Sequence, residues 1–240
     1  HTSTGTNWGS AAKSTTFANL ASNVTVTLSG GTTSDVATDG NIQSGLAVFA
    51  NSEKYDISLL PLGNVSSATA IYAINNVAEV RKDCVVFISP GLSDVVNNVG
   101  SEATSVATFR DGLPSSSYAV LDSGWKYQYD RYNDVYRWVP LNGDTAGTAV
   151  RTDFVADPWY SPAGFNRGQI KNVVKLAYSP SQADRDTLYK KGVNPVVSFP
   201  GQGTVLYGDK TLLAKPSAFD RINVRRLFIV LEKAIATASK

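Results

Sequence analysis

Apolar residues recur along this chain with two periods, and the places where one gives way to the other mark out its elements. Residues 1–20 are rich in Ser, Thr, Ala and Gly and carry neither period, so they read as a connection. Asn23-Val24-Thr25-Val26-Thr27-Leu28 alternates with period two and stops at Gly30-Gly31, a half-buried strand followed by a turn. From Asp39-Gly40 the spacing changes to that of a helix, with Ile42, Leu46, Phe49 and Ala50 sharing a face. Tyr55 to Leu60 is a short apolar run closed by Pro61 and predicts a buried strand. Ser66-Ser67 caps the next helix, whose stripe is Ala68, Ile71, Tyr72, Ile74, Val77 and Val80. Cys84 to Ser89, stopped by Pro90-Gly91, is a second strand of buried type. Leu92 to Arg110 reads as one helix, with Val95, Val96, Val99, Val106 and Phe109 as its apolar positions, and Tyr118 to Leu121 as a third strand. Strands and helices that alternate through short connections predict a parallel sheet.

The rhythm changes after Asp122. Trp125, Tyr127 and Tyr129 alternate with polar residues, and after Tyr132-Asn133-Asp134 the run Val135 to Pro140 alternates again. That pattern is a strand pair with one aromatic face. Gly143-Asp144-Thr145 caps a short helix over Ala146 to Val155, and Pro158 to Gly164 is an irregular loop. Val173 to Ala177 is read as a strand. Ser181 opens a helix that runs through Lys191 and ends at Gly192. Val196 to Phe199 and Thr204 to Gly208 flank Gly201 and Gly203 as a hairpin. A final helix covers about Phe219 to Ala238, where Ile222, Phe228 and Ile235 form one apolar row and Val224, Leu227 and Leu231 an adjacent one. Val224, Leu227, Phe228, Leu231 and Ile235 are expected to pack on the sheet. The fold class is therefore α/β: a mixed, largely parallel sheet flanked by helices, with an added β-hairpin.

Composition removes several functions. The 240 residues are 42% hydrophobic and 18% charged, a globular balance with enough chain for a sizeable core. Lys and Arg total 22 against 20 Asp and Glu, and a net charge of +2 gives no footprint for nucleic acid or an anionic membrane. The one Cys excludes a disulfide framework or thiolate zinc cluster. The one His stands at position 1, so an internal Ser-His-Asp triad, Cys-His pair or His-rich metal site has no histidine to use. No cofactor or metal is expected. Met is absent even at position 1, which reads as a piece of a longer polypeptide, and no stretch approaches the ~20 apolar residues of a membrane span.

The remaining chemistry is weighed residue by residue. Gly201-Gln202-Gly203 begins like a dinucleotide loop, but a strand-like Thr-Val-Leu-Tyr follows where a helix N-terminus is needed, so a tight hairpin fits better. Asp56, Asp83, Asp122, Asp130, Asp134, Asp144, Asp153 and Asp157 sit at strand ends and turns. A pair of them acting on a glycoside, with Trp125, Trp138 and Trp159 stacking the sugar, is one reading; turn and cap roles for the acids and a core or interface role for the aromatics is the other. Cys84 fits a small buried hydrophobe. On the last helix, Arg221 and Arg225 lie at i and i+4 and could grip a carboxylate together. Arg225 and Arg226 are the candidate interface residues. About 100° apart, they cannot face one partner, so one is expected to anchor in the core and the other to reach a neighbouring segment.

The second half carries a resemblance. Trp125-Lys126-Tyr127-Gln128-Tyr129-Asp130, Val139 to Gly147, Asp157 to Gly164, Gly192-Val193-Asn194-Pro195-Val196, Tyr207 to Leu212 and Phe219 to Leu227 resemble, in order, the signature of contractile phage tail sheath proteins. The versions YDRYNDVYRW and DPWYSPAGFNRGQ are most similar to those of T-even-like phages. The resemblance is specific from Trp125 onward and assigns residues 36–240 to the family's core, leaving 1–35 as a connection from upstream. It implies a non-enzymatic, subtilisin-like α/β body without protease chemistry or cofactor. It also implies assembly in the host cytoplasm into a virion. There, copies of the subunit stack as hexameric rings around a tail tube and contract when the baseplate triggers them. Family members continue into a further C-terminal domain facing the tube, and this chain stops at Lys240, which puts tube binding by this chain in doubt. A carboxylate-based hydrolase and a carbohydrate-binding virion module are the alternatives.

Overall fold

The structure, a computed structural model, describes residues 30–31 and 37–239. The strand expected over 23–28 and the connection over 1–20 lie outside the described residues. The chain divides into two units, His1–Ala37 and Thr38–Lys240. In the first, Gly30 sits at φ +81°, the left-handed conformation a turn glycine supplies. The rest concerns the second.

Its centre is a four-stranded parallel sheet in the order β1 (Leu59–Pro61), β2 (Val85–Ile88), β3 (Ala119–Asp122) and β8 (Val193–Asn194). β2 and β3 are buried at every position, as continuous Val, Ile, Leu and Phe runs require when both faces are covered. β1 is shorter than expected. Tyr55 to Ser58 stays outside the strand, and β1 is a half-buried edge with one neighbour.

The helices around the sheet show where periodicity held and where it slipped. α1 (Asp39–Val48) is capped by Thr38, which accepts from Asn41 N. α2 (Ser67–Ala73) is capped by Ser66, whose Oγ accepts from Thr69 N at 3.2 Å. It continues through a π-helical turn, Ile74–Ala78, into the short α3 (Glu79–Arg81). The buried positions are Thr69, Ala70, Ala73, Ile74, Val77, Ala78 and Arg81. They step by four, and the wider π turn keeps that row on one face. Val80, expected in the stripe, is 63% exposed as a result.

The single helix expected over Leu92–Arg110 is two. α4 (Leu92–Val95) ends where Asn98 Nδ2 donates to Asp94 O at 2.8 Å and to Ser105 Oγ, while Asn97 adopts φ +57°. α5 (Glu102–Asp111) restarts beyond them. Asparagine side chains that bond nearby backbone compete with helix continuation, and the apolar count alone does not register this. Val99, in the break, is exposed.

The aromatic hairpin forms as expected from β4 (Trp125–Asp130) and β5 (Val135–Pro140), and β7 (Lys175–Leu176) adds a third strand to β4. Only two residues of the strand expected over 173–177 pair. α6 (Asn142–Val155) starts four residues earlier than expected, with Leu141 rather than Asp144 or Thr145 at its N-cap, and it packs on β1, β2 and β3. α7 (Gln182–Lys190) has the expected Ser181 cap, reciprocated by Asp184, and ends before Gly192 at φ +83°. β9 (Val196–Phe199) and β10 (Gly203–Leu206) make the second hairpin, with β6 (Gln169–Ile170) on its other side. Gly201 and Gly203, at φ +74° and +78°, are its turn glycines, and no helix follows them. α8 (Ile222–Ala238) closes the chain after a 3-10 turn at Ala218–Asp220. No helix among the described residues is long and apolar enough to cross a membrane.

Candidate functional site

The residues singled out above are spread over α8, both ends of the parallel strands, the aromatic hairpin and α6. α8 is fastened to the body by a row of cations. Arg226 donates from Nη2 to Asp153 Oδ1 at 2.7 Å and from Nη1 to Ala149 O, both on α6. Lys233 Nζ reaches Asp56 Oδ1 at 2.6 Å, Ile57 O and Ser58 Oγ beside β1. Arg225 packs against the rings of Tyr118 and Phe219, its guanidinium carbon 4.2 Å and 4.1 Å from their centroids. Arg226 thus anchors as one of the pair was expected to, but Arg225 is covered as well: they are 6% and 7% exposed.

Arg221 and Arg225 do not act together. Arg221 stands just before α8, bonded to Asp209 Oδ1 at 2.7 Å and to the Tyr189 hydroxyl, and those bonds hold its pKa above the usual arginine value. The face of α8 turned to the body is Ile222, Arg225, Arg226 and Ile229. Leu231 is 45% and Ile235 67% exposed, Phe228 is also exposed, and Val224 and Leu227 are half-buried, so the expected apolar face looks outward. Tyr118 and Asp153 on the body help hold the arginines inside, and these two partners lie 107 and 73 residues away in sequence.

At the strand ends the acids are tied up. Asp122 is fully buried, accepts from Ser89 Oγ at 2.7 Å and Gly124 N at 2.9 Å, and burial pushes its carboxyl up to about 8. Ser89 Oγ in turn accepts from Asn142 N, and Asn142 exchanges hydrogen bonds with Gly63, so β2, β3, the residues after β1 and the start of α6 are laced together. Asp144 pairs with Lys126 at 2.7 Å, and burial keeps its pKa above normal. Asp56 pairs with Lys233, Asp83 with Arg81, Asp130 with Arg137 and Asp153 with Arg226, while Asp134 accepts from the Tyr129 hydroxyl. Asp144 also lies near enough to Asp122 to add to its raised pKa, after burial as the larger cause. The three tryptophans separate. Trp125 is buried and donates Nε1 to Pro90 O at 2.7 Å, Trp138 packs on Tyr127 at 4.9 Å with the rings tilted by 49°, and Trp159 stands in the loop after α6, where its carbonyl accepts from Asn223 of α8. Cys84 is buried, and burial lifts its thiol to about 11, the protonated and unreactive form.

Two features carried no local signal in the sequence. Arg81 and Arg110 are buried staples that bond backbone carbonyls of distant segments, Arg110 reaching Lys191 O, Leu113 O and Leu212 O. A cavity of about 410 Å³ at the C-terminal ends of α5 and α7 gathers Lys190, Lys191, Lys210 and Lys215. Cations at helix C-termini complement the dipole there, which accounts for Lys190 and Lys191 without a ligand.

Comparison with known proteins places this architecture. A family model described as the phage tail sheath protein central domain matches residues 35–212. The tail sheath protein of Vibrio phage KVP40 is 49% identical over 217 residues, covering 82% of this chain and 32% of that protein. The tail sheath protein of Enterobacteria phage T4 is 44% identical over 232 residues, covering 90% and 35%. Among solved structures, the anti-feeding prophage helical sheath in its contracted state superposes with a TM-score of 0.61 at 17% identity, over 88% of this chain and 53% of that one. At that identity the likeness is one of fold. This chain spans about a third of the length of the curated relatives it matches.

Proposed function

The chain belongs to the phage tail sheath family, and from that premise we propose that residues 36–240 are the α/β body of a contractile sheath subunit. Copies of that subunit stack as rings around a tail tube, and the assembled sheath shortens to drive the tube through the host envelope. The observation that carries this reading is the family match over residues 35–212, made on a body whose strand ends are closed by satisfied hydrogen bonds. The relatives are tail sheath proteins of phages, and in our reading this body is mechanical and turns over no substrate. Contraction of this kind needs stiff bodies that exchange one set of neighbours for another, with the free energy stored in the interfaces. The cations fastening α8 and the Asp122 network supply that stiffness. Tail tube and baseplate are the proposed partners of the complete gene product, and the host cytoplasm the proposed place of assembly. Neither nucleic acid nor membrane is among the proposed partners.

An activity survey tests the non-enzymatic part. The chain should hydrolyse no ester, peptide or glycoside above background. Turnover that survives purification and is abolished by Asp144→Asn or Asp153→Asn would overturn that part and favour a carboxylate hydrolase.

A further inference from the structure

Five cations line the cavity of about 410 Å³ at the ends of α5 and α7: Arg110, Lys190, Lys191, Lys210 and Lys215. Two acids stand among them, which leaves an excess of three positive charges in a protein whose whole net charge is +2. Both acids are engaged, Asp111 by Lys191 at 2.5 Å and Asp220 by Arg221 at 3.5 Å. Arg110 is spent on three backbone carbonyls, and Lys210 lies over the Tyr189 ring at 4.4 Å. Lys190 and Lys215 are exposed, and neither forms an ion pair or side-chain hydrogen bond with a described residue. The helix dipole accounts for Lys190 and Lys191, where α7 ends. It does not account for Lys210 and Lys215, which reach the same cavity from the chain after β10.

The opposite end of the same two helices is acidic. α5 and α7 run side by side in one direction. Their C-terminal ends meet at the cavity, where Arg110 Nε donates to Lys191 O at 3.0 Å. At their N-terminal ends, Glu102 and Asp184 are both near enough to Tyr178 to add to burial in raising its pKa. Asp94 stands beside them, lining a shallower cavity with Ser105 and Thr108 of α5. Each of the three carboxylates accepts from nearby backbone through one oxygen only, leaving the other free of hydrogen bonds to described residues. The nearby cation Arg185 donates to Pro180 O and leans toward Phe199 and Tyr207. Helices of ten and nine residues set the two ends about 15 Å apart. That exceeds the Debye length of ~8 Å at physiological salt, so the ends do not neutralise each other within one molecule.

We propose that the lysine-lined cavity receives the acidic N-terminal end of the α5–α7 pair of a second copy of this chain, in a head-to-tail contact. The proposal rests on the reading above that copies of the subunit assemble. A contact made by two different patches repeats from copy to copy and builds rings or helical stacks, which a self-complementary patch does not. Complementary charge sets the register of such a contact and steers its formation. Exposed ion pairs are individually weak, so the contact is seen in the isolated chain only when it is concentrated.

Amide resonances of the ¹⁵N-labelled chain test this at low salt. Between micromolar and millimolar concentration, Gly192 at the cavity and Glu102 and Asp184 at the acidic end should shift together, and sodium chloride should abolish the shifts. Two variants each spare one half of the contact: Lys190→Glu with Lys215→Glu reverses exposed charges at the cavity, and Glu102→Gln with Asp184→Asn neutralises the acidic end while keeping the capping oxygens. Alone, each should lose the concentration dependence. When the labelled cavity variant is mixed with the unlabelled acid variant, its Glu102 and Asp184 amides should shift again while Gly192 stays in place. Shifts confined to one end, shifts that survive in either variant alone, or a mixture that stays silent would each overturn the proposal, as would a wild-type chain that shows no shift. The measurement is made on this chain, so its failure is distinct from that of the assembly reading. A complete gene product that fails to polymerise would sink that reading and leave the contact standing.

Discussion

Arg225 and Arg226 are neighbours with opposite energetic positions. Arg226 satisfies Asp153, so Arg226→Met strips a charged hydrogen-bond partner from α6 and should cost about 1.5–3 kcal/mol, softened by the partial exposure of Asp153. Arg225→Met removes a buried charge that has no counterion and keeps an apolar stem between two rings, so it should change stability by less than about 1 kcal/mol. Denaturant melts of the two variants should therefore diverge. Equal losses would mean that Arg225 is balanced in a way the contacts do not display. Asp122 gives a second test at this scale. The folded protein holds its proton up to about pH 8, whereas an unfolded chain releases it near 3.8. The stabilisation linked to that proton is complete below the lower value and is lost as pH rises through the upper one. Between pH 5 and 8 stability should fall with a slope of at most ~1.4 kcal/mol per pH unit. Asp122→Asn should flatten that slope, and urea midpoints across the range would show whether it does.

Among the elements, α8 was legible as a helix but not in its orientation. Its apolar residues occupy two adjacent rows, and sequence offers no reason to turn the arginines inward unless Tyr118, Phe219 and Asp153 are known to be waiting there. The consequence is measurable. Leu231→Ala, at a half-exposed position, should cost under about 1 kcal/mol, whereas Ile229→Ala, 3% exposed, should cost about 2–4 kcal/mol; the reverse order would place the helix the other way round. The interior strands β2 and β3, the Ser66 and Ser181 caps and the paired hairpin strands were readable because each rests on neighbours within a few residues. The π turn after Ala73 and the break at Asn97-Asn98 were not, since each depends on which face the rest of the body makes available. Gly168 belongs to the same class. A Cβ there would stand 2.7 Å from Leu206 O and 2.8 Å from Gly164 N, all backbone, so Gly168→Ala should destabilise the β6–β10 edge by about 1–3 kcal/mol. Amide exchange at Leu206, which donates to Gly168 O, should report the loss first.

At the scale of the whole molecule, the candidate site was legible by family rather than by chemistry. The motifs from Trp125 onward point to a sheath subunit, yet they specify no contact, because partners that fasten α8, such as Asp56 and Asp153, come from widely separated positions. This body, about a third of the length of its relatives, should by itself be mainly monomeric by light scattering at micromolar concentration. The complete gene product that carries this sequence should behave otherwise. Negative-stain microscopy of that product is the most direct test of the mechanical reading: it should polymerise into rings or tubes of sheath-like width, and a product that stays dispersed under conditions where a T4-type sheath protein assembles would contradict it.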